Sequence, residues 1–175
     1  MKILIVGKPN TGKSALIHRL LFDQFKHAPI PPTIGIDYHP WTCPITQTRV
    51  QLWDTSGHVV FRPIMTSYLQ HAHVALVVFN PQDLDPPDDW IREVILRPHC
   101  QLILVAHHHG PDASAPLPAW SKRYTTLACN ASTGHGVRHT FQEVVRLHAS
   151  SLPPPPTEPT QSPTAPNTWW RCCSC

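Results

Sequence analysis

GKPNTGKS, residues 7–14, stands directly after the apolar run ILIV at 3–6 and directly before a helical stripe of Leu16, Ile17, Leu20 and Leu21. Its spacing is G-x-x-x-x-G-K-[ST], in the context that gives the spacing meaning: a strand that turns through glycines into a helix. Gly7 and Gly12 let the backbone wrap closely, so that loop N–H groups and the helix N-terminus face a phosphate. Lys13 supplies a cation for the β- and γ-phosphates, and the Ser14 hydroxyl is a ligand for Mg2+. The phosphate-side residues expected from this stretch are Gly7, Pro9, Asn10, Thr11, Gly12, Lys13, Ser14 and Ala15. A glycine turn beside a solvated lysine is the competing reading, and the flanking strand and helix argue against it.

Working outward, VQLW at 50–53, VALVVF at 74–79, LILV at 102–105 and YTTLAC at 124–129 are further short apolar runs that read as strands. Between them lie helical stripes. One is Trp90, Ile91, Val94 and Ile95, started by Pro86, Pro87, Asp88 and Asp89; the last is Val137, Phe141, Val144 and Val145. IDYHPWTCP at 36–44 alternates, but Pro40 and Pro44 restrict it to a sheet edge. The order predicts an α/β, P-loop architecture. Its sheet is six-stranded, mixed but mostly parallel, with right-handed crossovers and helices on both faces.

With 175 residues and 41% hydrophobic content, the chain can bury a core within one domain. A net charge of +3 with scattered Lys and Arg makes no basic field, so nucleic acid is not an expected partner. Cys43, Cys100 and Cys129 are isolated while Cys172, Cys173 and Cys175 crowd the terminus, which is no disulfide framework and suits a reducing, cytoplasmic compartment. No apolar run approaches the roughly 18 residues of a membrane span. From Leu152 onward the sequence is proline-rich without periodicity, so the expected division is a domain over 1–151 and a linker-like tail over 152–175.

Two further residues sit where a metal site would need them. Thr33, in the loop PPTIGIDY, offers a hydroxyl that can close over Mg2+ and a γ-phosphate, and Asp54, in WDTSGH, ends a strand pointing at the same ion. With these pieces the chain resembles a small GTPase of the Ras superfamily, and specifically a Rab. TIGIDY resembles the Rab segment TIGVDF, the stretch from VQLWDTSGH to VALVVF resembles the Rab region around WDTAGQERF, and the resemblance as a whole covers residues 1–106 almost continuously. The resemblance implies a small G-domain with GTP or GDP and Mg2+ as ligands. It places Thr33 in switch I and Asp54 and Gly57 at the opening of switch II, with Phe25 where an aromatic flanks the guanine. Ile34, Gly35, Ile36, Asp37 and Tyr38 would face effectors, and an exchange factor and a GTPase-activating protein are implied partners of a monomer.

Where the family reads guanine, this sequence departs. The strand LILVA continues in the family into N-K-x-D, whose Asp accepts two hydrogen bonds from guanine. Here His107, His108, His109 and Gly110 stand in those places. The later S-A-K motif is replaced by Asn130, Ala131 and Ser132. Asp112 could reach inward if the shortened loop bends, and His107 or His108 could stack on the base, but selectivity among bases is expected to be poor. Zinc is the weaker reading of three consecutive histidines, because side chains alternate along an extended chain and no Cys or carboxylate partner is evident nearby. His58 replaces the family's water-orienting Gln as the catalytic position, and Pro9 brings no N–H to the phosphate loop, so hydrolysis is expected to be slow or absent. The helix expected between the triple His and Asn130 should be truncated or absent.

The terminus CCSC ends in the C-x-C form that Rab proteins carry, which implies two prenyl groups, on Cys173 and Cys175. One lipid chain alone holds marginally, and Arg171 is no polybasic patch. Trp169 and Trp170 would suit a headgroup interface. The reading is a membrane-anchored switch in vesicle transport, peripheral on the cytosolic face of an intracellular or plasma membrane. The alternative is a pseudo-GTPase scaffold whose P-x-x-P segments, PTEP at 156–159 and PTAP at 163–166, are ligands for an adaptor domain.

Overall fold

The computed structural model describes residues 1–25, 30–83, 85–108, 110 and 116–151. The expected linker and Cys173 and Cys175, the cysteines expected to carry prenyl groups, lie outside the described residues, as do His109 and Asp112. Six strands form one sheet: β1 (Lys2–Val6), β2 (Ile36–Thr42), β3 (Arg49–Thr55), β4 (Val74–Phe79), β5 (Gln101–His107) and β6 (Thr126–Cys129). Their order is β2-β3-β1-β4-β5-β6. Only the β2–β3 pair is antiparallel; the other four pairings are parallel. This is the sheet the sequence predicts.

Helices α1 (Lys13–Phe22), α2 (Arg62–Leu69), α3 (Asp88–Ile95) and α4 (Val137–Ser151) cover it. Alternation along each strand sorts the core into two layers, because successive side chains leave a strand on opposite faces. On one face Ile3, Ile5, Leu76, Val78, Ile103 and Val105 pack with Leu16, Ile17 and Leu20 of α1 and Phe141, Val144 and Val145 of α4. On the other, Leu4, Val6, Ala75, Val77 and Leu104 meet Met65 and Leu69 of α2 and Trp90, Ile91 and Val94 of α3. The central strands are buried on both sides, which is why they read as unbroken apolar runs.

Three details differ from the sequence reading. Helix α2 was not assigned, since Met65 and Leu69 are its only buried residues and Pro63 sits in its first turn. Ile95 ends α3 facing water, 56% exposed, instead of completing the apolar stripe. Tyr124 and Thr125 precede β6 and do not belong to it. Pro40 does stand in an edge strand, opposite Gln51. Between Pro118 and β6 there is only a short 3-10 turn, Ala119–Arg123, in keeping with a truncated helix.

Candidate functional site

Strand β1 delivers the chain into the loop at 7–12, and α1 begins at Lys13. The Lys13 side chain folds back inside the loop, donating to the carbonyls of Gly7 at 3.1 Å and Lys8 at 2.8 Å. Burial lowers its pKa to about 8, against the pull of the Asp54 carboxylate, so the ammonium is still the major form at neutral pH. Gly12 is in the left-handed region at φ 84°. A Cβ there would stand 2.2 Å from His107 Nδ1, so only glycine fits.

Ser14, Thr33 and Asp54 come from three separate elements and meet. Ser14 Oγ donates to Asp54 Oδ2 at 2.5 Å, Thr33 Oγ1 reaches the same oxygen at 3.2 Å, and the two hydroxyls are 3.1 Å apart. Asp54 is buried, its Oδ1 has no hydrogen-bond partner, and desolvation raises its pKa despite the Ser14, Lys13 and Thr33 contacts. A buried carboxylate with an orphan oxygen beside two hydroxyls is an all-oxygen donor set, which fits Mg2+. Bound there, the ion would supply positive charge to β- and γ-phosphate oxygens, with Ser14, Thr33 and Asp54 holding it.

A cavity of about 360 Å3 opens next to these groups. Its wall includes Pro9, Asn10, Gly12, Lys13, Ser14 and Ala15 from the loop, Phe25 after α1, Thr33, and Gly57 and His58 after β3. A Cβ on Gly57 would lie 2.4 Å from the Pro9 nitrogen, so the segment after β3 presses directly on the phosphate loop. His58 is exposed, its backbone N–H donating to Ser56 Oγ at 3.3 Å. Ile30, Pro31, Pro32, Thr55 and Ser56 also line the cavity and were missed from sequence. Thr55 could have been suspected from its place beside Asp54; its hydroxyl ties the end of β3 to the carbonyl of Ile5 at 2.7 Å.

The residues expected on the base side, His107, His108, Gly110, Asn130, Ala131 and Ser132, do not line that cavity. His107 is 3% exposed, and its ring lies behind Gly12. Nε2 accepts the Ala131 N–H at 3.2 Å, which leaves Nδ1 to carry the proton and donate to the Thr11 carbonyl at 2.8 Å. It is a strut between two loops. His108 is also buried, its N–H donating to the Cys129 carbonyl at 2.9 Å. Gly7 and Thr11 are likewise behind the wall: the Gly7 carbonyl holds Lys13, and the Thr11 hydroxyl donates to the Lys8 carbonyl at 3.0 Å. Asn130 is fully buried and turns inward, Nδ2 donating to the Gly110 carbonyl at 2.7 Å. Among the described residues no group of three or more His, Cys, Asp or Glu side chains is placed to hold a metal ion.

A family model described as "Ras of Complex, Roc, domain of DAPkinase" matches residues 2–110, from β1 through the end of β5 to Gly110.

Proposed function

The chain belongs to the Roc, or Ras of Complex, family of Ras-like P-loop GTPase domains, and we propose that it works as a Rab-like switch tethered to a membrane. In this reading it binds GTP and GDP with Mg2+, hydrolyses GTP slowly, and changes partners with the nucleotide during vesicle transport. The observation that carries the reading is the meeting of Ser14, Thr33 and Asp54. A hydroxyl of the 30–35 segment reaches a buried carboxylate beside the phosphate loop, so the position of that segment depends on what the loop holds. Ile34 and Val60, 81% and 74% exposed, stand on the two segments flanking the cavity. Apolar side chains so displayed suit effectors, an exchange factor and a GTPase-activating protein.

The anchor rests on Cys173 and Cys175, each carrying a prenyl group at the end of the proline-rich tail. The test is fractionation of cells expressing the full chain and its Cys173→Ser/Cys175→Ser form. The double variant should become soluble; persistence on membranes rules the lipid anchor out. The scaffold reading is favoured by PTEP and PTAP in the tail. It predicts a partner captured through those prolines equally well from GDP-loaded, GTP-loaded and Lys13→Ala protein.

A further inference from the structure

We infer that a second cavity, between α1 and the segment 30–39 that runs into β2, is a site for a small amphiphilic cation, an ammonium or amidinium on an apolar body, bound in antagonism to Mg2+. The inference goes beyond the nucleotide reading and does not depend on it. The cavity measures about 460 Å3, within the roughly 300–1,000 Å3 of small-molecule sites. Helix α1 contributes Ile17, Leu21 and Phe22 to its wall, and the facing segment contributes Ile30, Pro31 and Ile34. Phe22 and Ile34 are also exposed, so the apolar lining continues onto the surface.

Asp54 decides the charge of the occupant. It is 2% exposed, and it belongs to the wall of this cavity and not to that of the cavity beside the phosphate loop. Its Oδ2 takes the Ser14 and Thr33 hydroxyls, its Oδ1 has no hydrogen-bond partner, and Lys13 turns its ammonium to the carbonyls of Gly7 and Lys8. A carboxylate buried in this way gains from a cation placed close to it, and the apolar surround leaves the attraction weakly screened. Asp37 adds a second carboxylate to the lining, and the described residues that line it include no Lys or Arg; its two imidazoles are His18, whose Nδ1 meets the Gln24 carbonyl at 3.0 Å, and His39.

Ser14 and Thr33 line both cavities. The carboxylate that would hold Mg2+ therefore borders a second space in which another cation can sit, and two cations about one carboxylate repel. Such coupling is reciprocal, so the amphiphile weakens Mg2+ by the factor by which Mg2+ weakens the amphiphile.

Calorimetry on the full chain in EDTA, without nucleotide, tests the site with phenylbutylamine and its neutral counterpart phenylbutanol. The amine should bind about tenfold more tightly than the alcohol, the margin of a charge-assisted contact over a neutral one. Asp54→Asn should close that gap, and Phe22→Ser, a change at an exposed position, should weaken both ligands. Excess Mg2+ in place of EDTA should raise the dissociation constant of the amine and leave that of the alcohol unchanged. Equal binding of amine and alcohol overturns the inference, as does amine binding that ignores Mg2+. A protein that binds GDP with Mg2+ but not the amine sinks this inference alone, whereas one that binds the amine as described but no nucleotide upholds it and sinks the nucleotide reading.

Discussion

His107 Nδ1 lies 2.8 Å from the carbonyl oxygen of Thr11, while its Nε2 accepts the N–H of Ala131, so one neutral imidazole fastens the phosphate loop to the turn after β6. The residue sits at the end of β5, whose register with β6 pairs it with Cys129. The nucleotide site is thus held by a side chain that packs behind Gly12 and does not itself line the cavity.

His107→Ala removes two buried hydrogen bonds and leaves a gap beneath Gly12. We expect a loss of about 2–4 kcal/mol in stability, read as a lower urea midpoint at unchanged slope. His107→Asn should recover part of it, because an amide also offers a donor and an acceptor. Equal loss in both variants would mean that ring packing, and not the two hydrogen bonds, holds the loop.

Asp54 sets function against stability. Burial raises its carboxyl pKa, so between the ordinary carboxylate value and the folded value the folded chain binds more protons than the unfolded one. Its contribution to stability is therefore present at low pH and lost as pH rises through the folded value. At neutral pH in EDTA, Asp54→Asn should melt higher than the parent protein, whereas the rise in melting temperature produced by Mg2+ with GTP should vanish in the variant. A lower melting point in EDTA would show that the Ser14 and Thr33 hydrogen bonds outweigh the buried charge.

At the opposite end of the sheet, His73 and His148 stack edge to face with ring centroids 5.6 Å apart. Nδ1 of His73 accepts the Lys2 N–H at 3.0 Å. Both imidazoles are held below the ordinary histidine value, first by desolvation. The chain amino terminus adds to this for each, with Lys2 and His99 near His73, and His73 near His148. Depressed values mean that the unfolded chain takes up the protons first, so the stability these groups contribute above the ordinary value is lost as pH falls through the folded ones. Urea midpoints should fall between pH 7.5 and pH 5.5, and His148→Gln should flatten that slope. An unchanged slope would place the acid sensitivity elsewhere.

How much of this was legible depends on what sequence spacing can encode. Gly7, Lys13 and Ser14 are fixed relative to one another by a single strand–loop–helix unit, so their placement follows from order alone. Strands β1, β4 and β5 announce themselves because both faces are buried. The orientation of His107 could not be read in the same way. Along an extended chain, whether a side chain points into the cavity or behind the loop depends on the register of β5 against β6 and on the space beneath Gly12. Helix α2 was hidden for a different reason: two buried residues, Met65 and Leu69, make too thin a stripe for periodicity to register.

His58, the position proposed to orient the hydrolytic water, sits at the cavity rim as the residue before a 3-10 turn at Val59–Phe61. Its exposed side chain can touch a water, but an imidazole carries its donor and acceptor on opposite sides of a ring, whereas a Gln amide presents both from one carbon. The backbone around it is already constrained, since Gly57 abuts Pro9 closely enough to forbid a Cβ. His58→Gln should therefore raise the single-turnover rate of GTP hydrolysis by about tenfold, less than the roughly hundredfold or more that a fully positioned proton-transfer group supplies, because the imidazole it replaces can already touch the water. Pairing it with Pro9→Gly, which returns an N–H to the phosphate loop, should raise the rate further if that missing donor also limits the reaction. A rate unchanged by His58→Gln at saturating GTP and Mg2+ would remove position 58 from the chemistry and leave the water to be held by another group lining the same cavity.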